Sequence, residues 1–180
     1  MAQTLFTIET ERLVLRPFEL TDLESTHEYA SDTANTEYML YLPNSSIKET
    51  EQFLNRVVAE WKNDTPQSYE FAIMLDGKHI GAVSASLGED IYECELGWII
   101  HKDYQHRGYA TEAAKATRDF ALTQLKAKKV VAHCDYRNMA SFRVMEKIGL
   151  TLECDKGTRQ YRDSDKDIRE LKYSLVVDND

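Results

Sequence analysis

The hydrophobic positions change period several times along the chain, and each change marks an element. Thr10 to Phe18 is rich in branched residues and predicts a strand, ended by Pro17. Thr21 and Glu24 have the spacing of a capping box and predict a helix through about Ala30. Ser31 to Ser45 shows little periodicity and carries Tyr38, Met39, Leu40, Tyr41 and Leu42, which suits a loop with a short helix or the wall of a pocket. Ser46 and Glu49 form a second capping box. It opens a helix to about Lys62 with Phe53, Leu54, Val57, Val58 and Trp61 on one face. After a break at Asn63-Asp-Thr-Pro66, Tyr69 to Leu75 and His79 to Leu87 read as a hairpin around Asp76-Gly77. Gly88-Glu-Asp90 is the next turn.

The strand that follows alternates cleanly. Glu93, Glu95, Gly97 and Ile99 share one face, and Cys94, Leu96, Trp98 and Ile100 the other. From Ala110 the small and apolar positions 110, 113, 114, 117, 120, 121, 124 and 125 recur at helical spacing, and Leu125 to Lys129 ends the helix with cations. Val130 to Cys134 is a short apolar strand. Asn138 caps a helix carrying Phe142, Met145 and Ile148, stopped by Gly149. Leu150 to Tyr161 and Ile168 to Val177 close the chain as an antiparallel pair around Asp163-Ser-Asp-Lys166. The pattern predicts one domain over residues 1–180. Its fold class is α/β (α+β mixed): a mixed, mostly antiparallel sheet of about seven strands, with helices on both faces.

Composition narrows the function. A 180-residue chain with 42% hydrophobic and 29% charged residues suits one globular domain. A net charge of −9 argues against a nucleic-acid backbone as the ligand and suits a cationic partner such as an amine. Three cysteines, Cys94, Cys134 and Cys154, cannot all pair with one another, which fits a reducing compartment. The first residues lack the basic and apolar regions of a signal peptide, and no window approaches the ~18 apolar residues of a membrane span. A cytoplasmic protein acting away from membranes is expected.

The chemistry concentrates at Gln105-His-Arg-Gly-Tyr-Ala110, a basic turn between a strand and a helix N-terminus. Unpaired amides and the helix dipole favour an anion there. Arg107 adds charge, and Gly108 lets a ligand approach the backbone. The turn reads as a phosphate or pyrophosphate cradle. It is neither a Walker loop, since Gly-Lys-Ser/Thr is missing, nor the three-glycine dinucleotide fingerprint. His133-Cys134-Asp135 lacks metal spacing, because neighbours in a strand point to opposite faces.

Gln105-x-x-Gly108-x-Ala110, followed by Asn138-Met-Ala-Ser-Phe-Arg-Val-Met-Glu-Lys-Ile-Gly-Leu150, resembles the GNAT superfamily of N-acetyltransferases. Thr10-Glu-Arg-Leu-Val-Leu-Arg-Pro-Phe18, Leu20-Thr-Asp22, Glu95-Leu-Gly-Trp-Ile99 and Glu170-Leu-Lys-Tyr-Ser-Leu175 resemble its RimJ/RimL-like branch, whose members acetylate ribosomal-protein N-termini. The resemblance implies acetyl-coenzyme A as co-substrate, no metal, and transfer to a primary amine by direct attack through a tetrahedral intermediate. The amine is either a protein N-terminus or a small molecule, and a homodimer is left open.

It further implies that the strand at Gly97 to Ile100 splays from that at Val130 to Cys134. Ile99, Ile100, His101 and Asn138 would then line the pantetheine arm. Gln105, His106, Arg107, Gly108, Tyr109, Ala110 and Thr111 would hold the pyrophosphate, and an N–H near Ile99 would meet the oxyanion. Glu95 is the first candidate for the base and Glu93 the second, the alternative for each being a solvated strand carboxylate. Relatives often place a tyrosine where this chain has Met145, so Ser141 is expected to protonate the thiolate. Tyr136 and Tyr104 stand in reserve, and a capping or packing serine is the alternative. Asn138 also suits a plain N-cap, and Arg143 either a nucleotide phosphate or the surface. A non-catalytic acyl-coenzyme A-binding module is the competing reading.

Overall fold

The computed structural model describes residues 6–88 and 92–177, so most of the turn expected at Gly88-Glu-Asp90 lies outside the described residues. Eight strands form one sheet: β1 (Ile8–Glu9), β2 (Leu13–Pro17), β3 (Ser68–Leu75), β4 (Lys78–Leu87), β5 (Glu93–Ile100), β6 (Lys129–Asp135), β7 (Thr151–Arg159) and β8 (Ile168–Val176). Their order across the sheet is β1-β2-β3-β4-β5-β6-β8-β7. Every neighbouring pair is antiparallel except β5 and β6. The strand beyond the expected seven is β1, two residues long.

Among the described residues, four α-helices cover the sheet. α1 (Leu23–Ala30) and α2 (Ile47–Glu60) pack on one face, where Phe18, Tyr29, Leu54 and Val57 meet Ala72 and Ala82. α3 (Tyr109–Thr123) and α4 (Met139–Lys147) pack on the other, against Phe71, Ile73, Ile80, Leu96 and Ile100. The two sets alternate along the strands, except on β4, where the register shift opposite Ile73 and Met74 puts Ile80 and Ala82 on opposite faces. Ala113, Ala114 and Ala121 are fully buried on α3 and let it lie close to the sheet. A larger side chain at Ala114 would overpack this contact at about 1–3 kcal/mol. Phe71 and Phe120 meet edge to face at 5.4 Å and join α3 to β3.

Local chemistry explains the ends of the elements. Asp76 and Gly77 both have positive φ, 49° and 78°, which suits a type I′ hairpin turn. Ser46 Oγ accepts the Glu49 N–H at the start of α2. α1 departs from expectation. A 3-10 turn at Leu20–Asp22 precedes it, and the cap is not Thr21 with Glu24. Instead the Asp22 carboxylate accepts the Glu19 N–H at 2.8 Å and is gripped by Arg16 at 2.8 and 2.7 Å. Asp22 thus closes a capping box with Glu19 on the 3-10 turn, and α1 itself starts from Asp22 with no side-chain cap.

Candidate active site

The parallel ladder between β5 and β6 is short. It pairs Glu93 with Lys129, Cys94 with Val130 and Glu95 with Val131. β5 then runs on to Ile100 and β6 to Asp135 without further pairing to each other, so the strands fork. On the other side of β5, Gly88 N–H bonds the Glu93 carbonyl and His101 N–H bonds the Ile80 carbonyl. Odd-numbered residues of β5 therefore aim their backbone groups at β4. Alternation turns those of Trp98 and Ile100 into the fork. The Ile99 amide therefore belongs to the β4 ladder, and the amides of Trp98 and Ile100 face the opening.

The basic turn lies at the same end of β5. His106 and Gly108 are both left-handed, with φ of 61° and 85°. Gly108 is the N-cap of α3, and no side chain caps that end. The first turn of α3 carries one acid, Glu112, which would repel an anion if unpaired. Arg12 and Thr10, on the approach to β2, neutralise it. Arg12 Nε donates to Glu112 Oε2 at 2.7 Å, and Thr10 Oγ1 and the Arg12 N–H donate to Oε1 at 2.6 and 2.8 Å. Burial works to raise the Glu112 pKa, but these bonds outweigh it and leave it lowered. Arg12 also donates to the Arg107 carbonyl at 3.0 Å and lies 4.6 Å from the Tyr109 ring centroid. It braces the turn from outside.

The Gln105 side chain is engaged within the protein. Its carboxamide donates to the Ile100 carbonyl at 3.0 Å and to Asn35 Oδ1 at 3.1 Å. Lys102 pairs with Asp32. These two contacts stitch the segment 31–45 to the donor turn. His101 Nδ1 accepts the Asp103 N–H at 3.2 Å and caps the 3-10 turn Lys102–Tyr104. The Arg107 guanidinium lies 5.9 Å from the Tyr104 ring centroid. His106 and Arg107 are exposed, and Tyr109 and Ala110 are half-buried.

α4 begins where β6 ends. Asn138 is its N-cap, and Asn138 Oδ1 accepts the Ser141 N–H at 3.1 Å. Ser141 is half-buried one turn into the helix. Met145 is buried in the core, and Arg143 is exposed. Burial pushes the Cys94 and Cys134 thiols up to about 12 and about 11, so neither is a ready thiolate.

The two carboxylates proposed for the base have different surroundings. Glu93 sits among cations, 3.2 Å from Lys129 Nζ and 3.7 Å from Lys172 Nζ. Glu95, at the last paired position before the fork, meets His133 Nδ1 at 2.9 Å. That hydrogen bond is the main cause lowering the Glu95 pKa and raising that of His133. Sequence reading weighed His133 only as a metal ligand and gave Arg12 and Asn35 no site role. Only the shared face parity of Glu95 and His133 hinted at the first, and it needed the β5–β6 register to be seen.

Beyond β6, Asp135 is fully buried and held by Arg137 at 2.9 and 2.6 Å and by the Tyr161 hydroxyl. Burial opposes its ionisation, yet these donors hold its pKa at about 2. Arg162 donates its N–H to the Leu40 carbonyl and its guanidinium to Glu49, both at 3.2 Å. The β7–β8 connection thereby packs against the segment 31–45. Between them lies a cavity of about 230 Å³ lined by Thr33, Thr36, Glu37, Tyr161, Arg162 and Asp163 among others. Among the described residues, no three His, Cys, Asp or Glu side chains gather as a metal site, and no helix is long and apolar enough to cross a membrane.

A forked parallel pair beside an uncapped helix N-terminus, in a mostly antiparallel sheet, is the arrangement expected from the resemblance to N-acetyltransferases. Residues 12–151 match the acetyltransferase (GNAT) domain, and the chain belongs to that family. It is thus an acetyl-coenzyme A-dependent N-acetyltransferase. It is 32% identical over 148 residues to the uncharacterized N-acetyltransferase YnaD of Bacillus subtilis, covering 81% of this chain and 83% of that one. It is 25% identical over 140 residues to the spermidine N(1)-acetyltransferase of Escherichia coli, covering 77% and 73%. Its fold matches a RimL ribosomal alpha-N-protein acetyltransferase solved in complex with coenzyme A, with a TM-score of 0.83 at 17% identity and coverage of 97% and 99%.

Proposed function

We propose that the protein transfers the acetyl group of acetyl-coenzyme A to a primary amine, carried by a cationic small molecule or by a polypeptide N-terminus, that enters beside the segment 31–45. The observation that carries this reading is the β5–β6 fork opening next to the uncapped start of α3. In this reading the amides of Tyr109, Ala110 and Thr111, with His106, Arg107 and Gly108, hold the pyrophosphate. Gln105 fixes the turn to β5. Ile99, Ile100, His101 and Asn138 flank the pantetheine arm. The Trp98 and Ile100 amides face the thioester oxygen, where donors aimed at the developing charge stabilise the tetrahedral intermediate.

An acceptor amine with a pKa of ~8–10 arrives as an ammonium and must lose a proton before it attacks. The proton leaves through the Glu95–His133 pair, and Ser141 protonates the departing sulfur. The net charge of −9, and Glu37 and Asp163 at the cavity, favour a cationic acceptor. A thiol-release assay with acetyl-coenzyme A against peptides, polyamines, amino acids and aminoglycosides tests the reading. Release with at least one amine class is expected. Tight coenzyme binding with no release on any amine would instead identify a non-catalytic acyl-coenzyme A-binding module.

A further inference from the structure

Resting on the acetyl-transfer reading, we propose that His133 Nε2 is the group that takes the proton from the acceptor ammonium, and that Glu95 is the positioning residue that holds the imidazole. Glu95 and His133 lie at odd positions of two parallel strands and stand on the same sheet face. Glu95 opposes Val131 in the last rung of the ladder, so His133 stands two residues beyond it, on the rim of the fork.

The 2.9 Å contact fixes the tautomer. An ionised carboxylate only accepts, so Nδ1 must carry the hydrogen and Nε2 holds the free lone pair. The His133 side chain retains 23% of its exposure and Glu95 55%, so the ring is reachable from the fork. A carboxylate whose acidity is strengthened by its partner is a poor acceptor for an ammonium proton. An imidazole raised above its ordinary value lies nearer the working pH and is the better base. The charges facing the pair are Glu170 and Lys172 from β8, with Arg159 from β7. Glu170 adds to the upward pull on His133, and Lys172 opposes it.

The step balances as follows. One ammonium proton passes to Nε2, giving a neutral amine and an imidazolium held by Glu95. The nitrogen lone pair forms the C–N bond at the thioester carbonyl, and the C–S bond breaks with its electron pair on sulfur. Sulfur takes the Ser141 hydroxyl proton, and Ser141 regains one from the nitrogen as the amide forms. The imidazolium returns its proton to solvent, so one proton is released per turnover.

The test measures kcat against pH at saturating amine for the wild type, His133→Gln, His133→Ala and Glu95→Gln. Coenzyme A affinity is measured by calorimetry, and His133 ring titration by NMR. The wild-type kcat should rise with pH through one ionisation above ~6.5, because the base acts unprotonated. His133→Gln should lose this limb and about 10²-fold in kcat while keeping its coenzyme affinity. Added imidazole should restore turnover to His133→Ala. Glu95→Gln should keep the limb but move it, and the ring titration, to lower pH. Wild-type kcat in His133→Gln would overturn the role, as would a limb lost in Glu95→Gln but kept in His133→Gln. A ring titration unmoved by Glu95→Gln would also overturn it. If the wild type releases thiol with no amine, the acetyl-transfer reading fails and the role of His133 with it.

Discussion

Gly81 on β4 sits where the sheet supports the fork, and adding one carbon there should damage both stability and turnover. A Cβ at this position would stand 2.2 Å from the Ile99 carbonyl oxygen and 3.0 Å from the Ile100 Cα. Both contacts are backbone, so no rotamer relieves them. Real Cβ contacts do not fall below 3.0 Å, and the Ile99 contact alone requires β4 and β5 to part by about 0.8 Å. Overpacking of this kind costs about 1–3 kcal/mol, which at 180 residues lowers Tm by roughly 3–10 °C. The displaced residues adjoin the amides proposed to meet the oxyanion. A shift approaching 1 Å there is expected to cut kcat by roughly 10–100-fold. Gly97→Ala is the comparison for stability. Its Cβ would meet only the Ser84 hydroxyl, at 2.9 Å, which can rotate away, so a loss below about 1 kcal/mol is expected. Thermal denaturation and thiol release on purified Gly81→Ala decide the matter. An unchanged Tm with unchanged kcat would refute the reasoning that backbone contact between Gly81 and Ile99 sets the geometry of the fork.

Other substitutions probe separate parts of the site. Ser141→Ala should lower kcat while leaving coenzyme A affinity, read by calorimetry, largely intact; unchanged turnover removes Ser141 from the proton path. Arg12→Ala should weaken coenzyme A binding about three- to tenfold, a modest figure because the guanidinium is 41% exposed and screened. Adding Glu112→Gln should recover most of that loss, since it removes the carboxylate Arg12 neutralises. Asp135 has a folded pKa of about 2, below the ~3.9 of an unfolded chain. Its ionisation therefore contributes stability that is present above ~4 and disappears as pH falls toward 2, about 2 kcal/mol at neutral pH. Denaturant unfolding of Asp135→Asn should show that deficit at pH 7 and a narrowing gap to the wild type on acidification. A gap independent of pH would mean that the carboxylate's charge is not what its donors hold.

The parts of the fold that were legible in the chain are those written in local period. β5 alternates, α3 repeats small residues at helical spacing, and Gly77, Gly108 and Gly149 adopt positive φ where a hairpin or a helix boundary was expected. The turn at 105–110 and the helix start after it were legible for the same reason, since their residues are contiguous. β1 was not readable, because two residues carry no period. The start of α1 was misjudged because a 3-10 turn precedes it, closed by Asp22 through the Glu19 N–H and a buried pairing with Arg16 that spacing does not encode. The surroundings of the segment 31–45, proposed for the acceptor, were opaque because distant contacts build them. Lys102 meets Asp32 and Gln105 meets Asn35 across 70 positions, and Arg162 meets Glu49 across 113. The Glu95–His133 contact likewise depends on the register of two parallel strands joined through a helix, which no single stretch of sequence encodes.

The double attachment of the Gln105 carboxamide, to the Ile100 carbonyl and to Asn35, has an evolutionary consequence. One side chain joins the segment beside the cavity proposed for the acceptor to the strand end beside the turn proposed for the coenzyme. By linkage, any amine that reshapes that segment alters coenzyme affinity, and the coenzyme alters amine affinity by the same factor. Substrate choice and donor affinity are then not independent traits. A lineage that remodels residues 31–45 to accept a new amine also retunes its hold on the coenzyme, and compensating changes are to be sought at Gln105 and Lys102 before the cavity wall.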